Sequence, residues 1–287
     1  MRYVILLFGV WACSTAVIFV KLSSVPPIML TSLRLLVAAV VLTPLFARDL
    51  RRHRDTFARR DLLLAIAPAI CLALHFITWI IGARKTISAN ASLIVNLVPV
   101  VLPFILYWLI REKLNRNEFV ATLISMAGLA ILIVSDFQLN ETHFAGDIIC
   151  FGSMVLFALY LGLGRKNRHL DSVFLYVVPL YYIAGGLTLV PGILEVEHWD
   201  LFTSCEEIGY ILCLGLLPTV FGHSILNYSV KHLRGQVVGV INLTQFLFAG
   251  VMAFFHPGLK EVPALSFYPA GVLLVTACVV ATYRKKS

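Results

Sequence analysis

ARKTISANASLIVNL, running from Ala83 to Leu97, returns 146 positions later as SVKHLRGQVVGVINL, from Ser229 to Leu243. Lys85 falls on Lys231, Asn90 on Gln236, and Asn96–Leu97 on Asn242–Leu243. The same offset lays Trp11–Ala12 on Phe157–Ala158, and the register holds without a gap over more than eighty residues. The chain therefore reads as two related halves, residues 1–138 and 146–285.

Both halves are apolar. Hydrophobic residues make up 60% of the 287 and charged residues 13%, against about 25% charged in a soluble domain whose surface faces water. The fifteen acids lie in polar stretches or at the ends of apolar runs, from Asp49 and Asp61 to Glu206 and Glu261. A lipid-facing body explains that segregation, since a charge at a helix centre costs roughly 2.5–3.5 kcal/mol on insertion scales. A hydrocarbon core needs about 20 apolar residues per helix. That ruler predicts spans near 3–21, 26–47, 61–83, 87–110, 117–135, 146–164, 172–194, 207–230, 235–256 and 264–283. The first span has only Arg2 ahead of it and no A-x-A cleavage site, so it is expected to be an uncleaved helix rather than a signal peptide.

The net charge of +8 could suggest a nucleic-acid partner, but its distribution argues for a membrane. Eighteen of the 23 Lys and Arg residues collect in alternate loops, among them Arg48–Arg60, Arg111–Arg116, Arg165–Arg168 and Lys231–Arg234. The other side has Lys21, Arg84, Lys85 and Lys260, and Arg34 lies inside a span. The positive-inside rule then puts both termini in the cytoplasm, which requires an even number of spans. Five spans per half is odd, so the second half enters with opposite polarity. The expected fold is an all-α integral membrane protein of ten transmembrane helices, arranged as two inverted-topology five-helix repeats. Secondary transporters use such repeats to place a substrate site between halves that open alternately.

Polar groups inside spans are the candidate site. His75, Thr78 and Trp79 share one face of the third span, and His223 and Asn227 one face of the eighth. Asn90, Asn96, Gln236, Asn242 and Gln245 come from the fourth and ninth; Trp11, Ser14 and Tyr160 complete a lining. The competing reading is helix–helix glue, at roughly 0.6 kcal/mol per hydrogen bond. Pro99 and Pro103 are expected to kink the fourth span, either as a gate or as tolerated prolines. Arg34 either snorkels to the nearer face or meets an anionic substrate. The six cysteines form no CxxC pair and are expected to be small core residues, not metal ligands. Acids are missing from span centres, so any coupled proton is expected on His75 or His223. There is no GxxxxGK[ST], HExxH or GxSxG motif, so neither an enzyme nor a cofactor is expected.

The stretch ARKTISANASLIVNLVPVVLPFILYWLIREKLNRNEFVATLISMAGLAILI, Ala83 to Ile133, resembles the EamA-type branch of the drug/metabolite transporter superfamily. It is similar in its polar turn, its small-residue helix with Pro99, Glu112 after that helix, and Gly128 in the fifth span. GDIICFGSMVLFALY and GHSILNYSVKHLRG echo the pattern in the second half. There, Gln245 stands at the position of Pro99, and the counterpart of Glu112 is displaced to Glu261 by the insertion around His256-Pro257-Gly258. The ninth helix is accordingly expected to be straighter than the fourth.

The resemblance implies export of small metabolites, such as amino acids or related compounds, by alternating access in the cytoplasmic (inner) membrane. It implies a cavity lined by the first, third, fourth, sixth, eighth and ninth helices. The substrate-binding candidates are Trp11, His75, Trp79, Asn96, Tyr160, His223, Asn227 and Asn242, with Arg34, Pro99 and Glu112 as gating or structural residues. The partners expected are a small-molecule substrate and the lipid bilayer, in a monomer or homodimer. A passive channel, or a membrane scaffold, is the alternative.

Overall fold

A computed structural model describes residues 1–86, 91, 94–136, 141–255 and 265–283, without the side chains of 132–143 and 253. The calls on Asn90, Glu261 and the insertion at His256-Pro257-Gly258 lie outside the described residues.

The described residues are all-helical. We number ten helices among them by the spans they fill. α1 is Arg2–Ser14 continuing as Ala16–Leu22; α2 is Pro27–Arg52; α3 is Arg59–Lys85, opening with a tight 3₁₀ turn. α4 is Val98–Ile110, α5 Arg116–Asp136, α6 Glu141–Lys166 and α7 Phe174–Glu195. α8 is Cys205–His232. α9 is Gly235–Asn242 continuing as Gln245–Phe255, and α10 is Phe267–Thr282. Seven of the helices are long and apolar enough to cross a bilayer, and the chain is a multi-pass membrane protein. Helices are what such a chain must form, because lipid offers backbone groups no other hydrogen-bond partner.

Helix ends are closed by specific groups. Glu195, at the end of α7, accepts the Ile28 amide at 2.8 Å and so caps α2 behind Pro27. Asn115 and Glu118 cap α5 reciprocally: the Glu118 amide donates to Asn115 Oδ1 at 2.8 Å, and the Asn115 amide to Glu118 Oε2 at 2.9 Å. α4 ends at Arg111, whose φ of 55° is left-handed, while the Glu112 amide returns to the Leu106 carbonyl. That turn aims Glu112 at the second half of the chain.

The most extensive helix pairings run between the halves. α2 packs on α7, α3 on α6, α5 on α10 and α1 on α8. Adding five to the helix number, and counting round from ten, carries this set of pairs onto itself. Several crossings are close enough to need glycine, two among them at α7 and α8. A Cβ on Gly192 of α7 would lie 2.9 Å from Met29 Cα and 3.0 Å from its nitrogen, and one on Gly222 of α8 would lie 2.5 Å from Cys13 Sγ.

Among the described residues three helices are interrupted, and a fourth begins at a turn. α1 breaks at Thr15, whose hydroxyl donates to the Ala12 carbonyl at 2.8 Å. α8 widens into a π-helix over Gly215–His223, which includes Pro218. A turn at Asn96–Leu97 precedes α4, so Pro99 stands in the first turn of a fresh helix rather than kinking one in mid-course. α9 breaks at Leu243–Thr244 and is not straighter than the fourth span. Without a proline, its interruption comes from Thr244, whose hydroxyl donates to the Ile241 carbonyl at 2.8 Å, and from three-residue backbone bonds on either side.

Candidate functional site

These interruptions gather around a small central cavity. Its wall takes Cys13 and Ala16 from α1, Arg34 from α2, and His75, Phe76 and Trp79 from α3. Val95, Asn96, Phe157 of α6, His223 of α8, and Asn242 and Gln245 of α9 complete it. Both halves contribute. The volume is about 40 Å³, little more than the share of one water in the liquid, about 30 Å³. A second space of about 20 Å³ continues past Trp79 and Asn96 to Ser14, Phe246 and Ala249.

The ring stack of the cavity is ordered by one hydroxyl. Ser153 Oγ donates to the His75 carbonyl at 2.9 Å, so the His75 Nδ1–H donates back to Ser153 Oγ at 2.8 Å. In the neutral ring this assigns Nε2 as an acceptor. His75 lies parallel to Phe157, with centroids 4.7 Å apart, and His223 stands edge-on to Phe76 at 4.8 Å. The two imidazoles are 6.4 Å apart. Asn227 supports His223 from below, donating to its carbonyl at 2.8 Å and to the Tyr160 hydroxyl. Tyr160 and Asn227 thus back the wall rather than form it.

Arg34 does not snorkel. It is 1% exposed, its Nε donates to Thr219 Oγ1 at 3.1 Å, and its guanidinium lies 3.9 Å from the Phe76 ring centroid. Snorkelling needs a free path to the interface, and here α7 and α8 cover the helix face that would supply it. Thr219 is held in turn by the π-helix, donating to the Leu214 carbonyl five residues back at 2.7 Å.

His75, Trp79, Asn96, His223 and Asn242 therefore meet at one cavity with Arg34. Trp11 does not join them: it is 36% exposed and stacked on Phe8, with centroids 5.5 Å apart. Gln236 and Thr78 behave as glue. Gln236 Nε2 donates to the Pro99 carbonyl at 2.9 Å and to Thr122 Oγ1 at 2.7 Å, and the Thr78 hydroxyl back-bonds to Leu74. The cysteines are free; Cys13, Cys71 and Cys150 are buried, whereas Cys205 is exposed where α8 begins and does not sit in the core. Sequence reasoning missed Phe76 and Phe157. The signal for Phe157 was its place three residues before Tyr160, on one helical face.

At the arginine-rich end, charged side chains tie the halves together. Arg165 Nε meets Glu112 Oε2 at 2.9 Å with both side chains nearly buried, and Glu112 Oε1 accepts the Gly235 amide at 3.2 Å. Arg234, between α8 and α9, binds Glu118; that hydrogen bond raises the guanidinium above its ordinary pKa. Glu112→Gln and Arg165→Gln should each lower stability by about 1.5–3 kcal/mol, as for hydrogen bonds to charged groups. The double variant should fall short of the sum by about 0.5–3 kcal/mol. Thermal denaturation in detergent reads both; strict additivity would show that the pair does not act as one latch.

Comparison with known proteins finds similarity over nearly the whole chain. The EamA-like transporter family matches residues 2–134. A protein described as an uncharacterized transporter from Methanothermobacter thermautotrophicus is 22% identical, over 98% of this chain and 88% of its own length. Another of the same description, from Archaeoglobus fulgidus, is 23% identical over 93% of this chain and 91% of its own. A solved crystal structure superposes with a TM-score of 0.77 at 18% identity, covering 98% of this chain and 96% of its own, which shows a common fold.

Proposed function

We propose that the chain, whose residues 2–134 match the EamA-like transporter family, is a secondary transporter moving a small metabolite by alternating access. The observation that carries the reading is the central cavity: aromatic and amide side chains from both halves meet there, at the level where α1, α8 and α9 are interrupted and where α4 begins. Broken helices are tolerated at membrane depth where they are buried in protein or line a cavity, and in secondary transporters such helices form the substrate site.

The self-mapping of the helix pairs supports two inverted repeats, residues 1–138 and 146–285, exchanging places about the cavity. The basic loops support cytoplasmic termini and the cytoplasmic membrane as the site of action. In this arrangement the Glu112–Arg165 latch closes the cytoplasmic end, and its opening releases that side. Asn96, Asn242 and His75 orient the substrate, while Trp79 encloses it.

Purified protein in liposomes preloaded with a mixed panel of metabolites should accumulate one labelled compound against its gradient by counterflow. Saturable, trans-stimulated exchange is the expected result. Movement that rises linearly with concentration and ignores the trans compartment would make the protein a channel.

A further inference from the structure

Arg34 carries more than the cavity's shape. Its guanidinium is fixed twice, by the Thr219 hydroxyl at 3.1 Å and by the face of Phe76 at 3.9 Å. Those two contacts use Nε and one face of the plane. Nη1 and Nη2 have no hydrogen-bond partner among the described residues, in a side chain that is 1% exposed and lines the cavity. Neither Asp nor Glu lines the cavity among the described residues, so Arg34 supplies its formal charge. A buried cation without a counter-ion is among the costliest arrangements in a membrane interior, and it persists where something else brings the anion.

We propose that Arg34 anchors a carboxylate and that the substrate is a small amphipathic monoanion rather than a zwitterion or a cation. The proposal rests on the carrier reading of the same cavity. A paired Nη fork matches the two oxygens of a carboxylate in the bidentate geometry that arginine prefers. A charge of +1 in the wall is balanced by one negative charge, whereas an amino acid would bring an ammonium for which the wall holds no acid. The apolar remainder of the ligand would face Phe76, Trp79, Phe157 and Val95. A larger space of about 770 Å³ at the arginine-rich end, lined by Arg2, Arg168 and Lys231 with His169 and His232 beside them, would concentrate anions at that end.

The test compares three matched series bearing methyl, isobutyl and benzyl side chains: 2-hydroxy acids, the corresponding amino acids, and the corresponding amines. Sodium chloride and phosphate are added as inorganic controls. Counterflow and thermal shift are both read on the wild type, on Arg34→Lys and on Arg34→Gln. The hydroxy acids alone should exchange and should raise the melting temperature. Arg34→Gln should lose exchange at least tenfold and lose the shift, with Arg34→Lys retaining part of both. Equal responses to amino acids or amines, a shift with chloride or phosphate as large as with the acids, or full exchange in Arg34→Gln would overturn the proposal. A hydroxy-acid shift without exchange in the wild type would keep the anion site and reject the carrier. If Arg34→Gln does not fold, the selectivity of the wild type among the three series decides alone.

Discussion

Counterflow through the Trp79→Ala protein should fall by tenfold or more while the protein still reaches the membrane. Trp79 lines both small cavities, is 9% exposed, and its indole Nε1 has no hydrogen-bond partner among the described residues. An aromatic side chain buries about 150–250 Å² of surface, so its loss removes a wall from the space that must close on a substrate. Tenfold corresponds to about 1.4 kcal/mol, modest beside the area involved. Trp79→Phe keeps an aromatic face and removes the donor, so its rate should fall between the two. The same loss is expected of His75→Ala and Asn227→Ala, which take away the Ser153-bound ring and the support of His223. Full activity in all three variants would remove the site from this cavity.

Gly192→Val should leave almost no folded protein. The added Cβ would lie 2.9 Å from Met29 Cα and 3.0 Å from Met29 N, and these are backbone atoms that cannot turn aside. Overpacking relieved by side-chain motion costs about 1–3 kcal/mol; here α7 must separate from α2, so the loss should exceed that range. Gly186→Ala is the control in the same helix, because a Cβ there meets nothing within 4 Å. It should fall within about 0.5 kcal/mol of wild type, as surface changes do. Size-exclusion profiles of the two detergent-solubilised variants measure the contrast. A monodisperse Gly192→Val protein would mean that α2 and α7 do not approach as closely as described.

The spans were legible because a bilayer imposes a length and a composition on every helix. Arg59–Lys85 and Cys205–His232 lie within two residues of the ranges expected, 61–83 and 207–230. α2 runs five residues past its expected end, to Arg52, because its last turn is polar and no apolar count could include it. The candidate lining was partly legible for a different reason: a polar side chain in a span stands out against apolar neighbours. His75, Trp79, Asn96, His223 and Asn242 were named that way, and the structure brings them to one cavity. Trp11 was named by the same reasoning and lies instead on the outer surface, since an aromatic ring is at home on either side of a membrane helix.

What stayed hidden depends on partners far away in the chain. Whether Arg34 reached the interface was decided by Thr219 and Phe76, which no local pattern connects to it. Nothing in Gly215–His223 announces a π-helix; Pro218 lacks a backbone donor, yet prolines at 103 and 179 lie inside helices that stay α-helical. The break in α9 was misjudged because proline was taken as its cause. Thr244 achieves the same result through its hydroxyl, which the chain could equally have spent on solvent or a neighbour.

The bond between Arg34 and Thr219 also sets a schedule for biogenesis. The two residues are 185 positions apart, and ribosomes add about 5–20 residues each second. For roughly ten to forty seconds α2 must therefore live in or beside the translocon with a guanidinium whose hydrogen-bond partner has not been synthesised. The early chain can hold it at the headgroups and draw α2 inward only when α8 arrives. The first half would then reach its final depth in the membrane after the second half is made, so the two halves mature together although one is translated first.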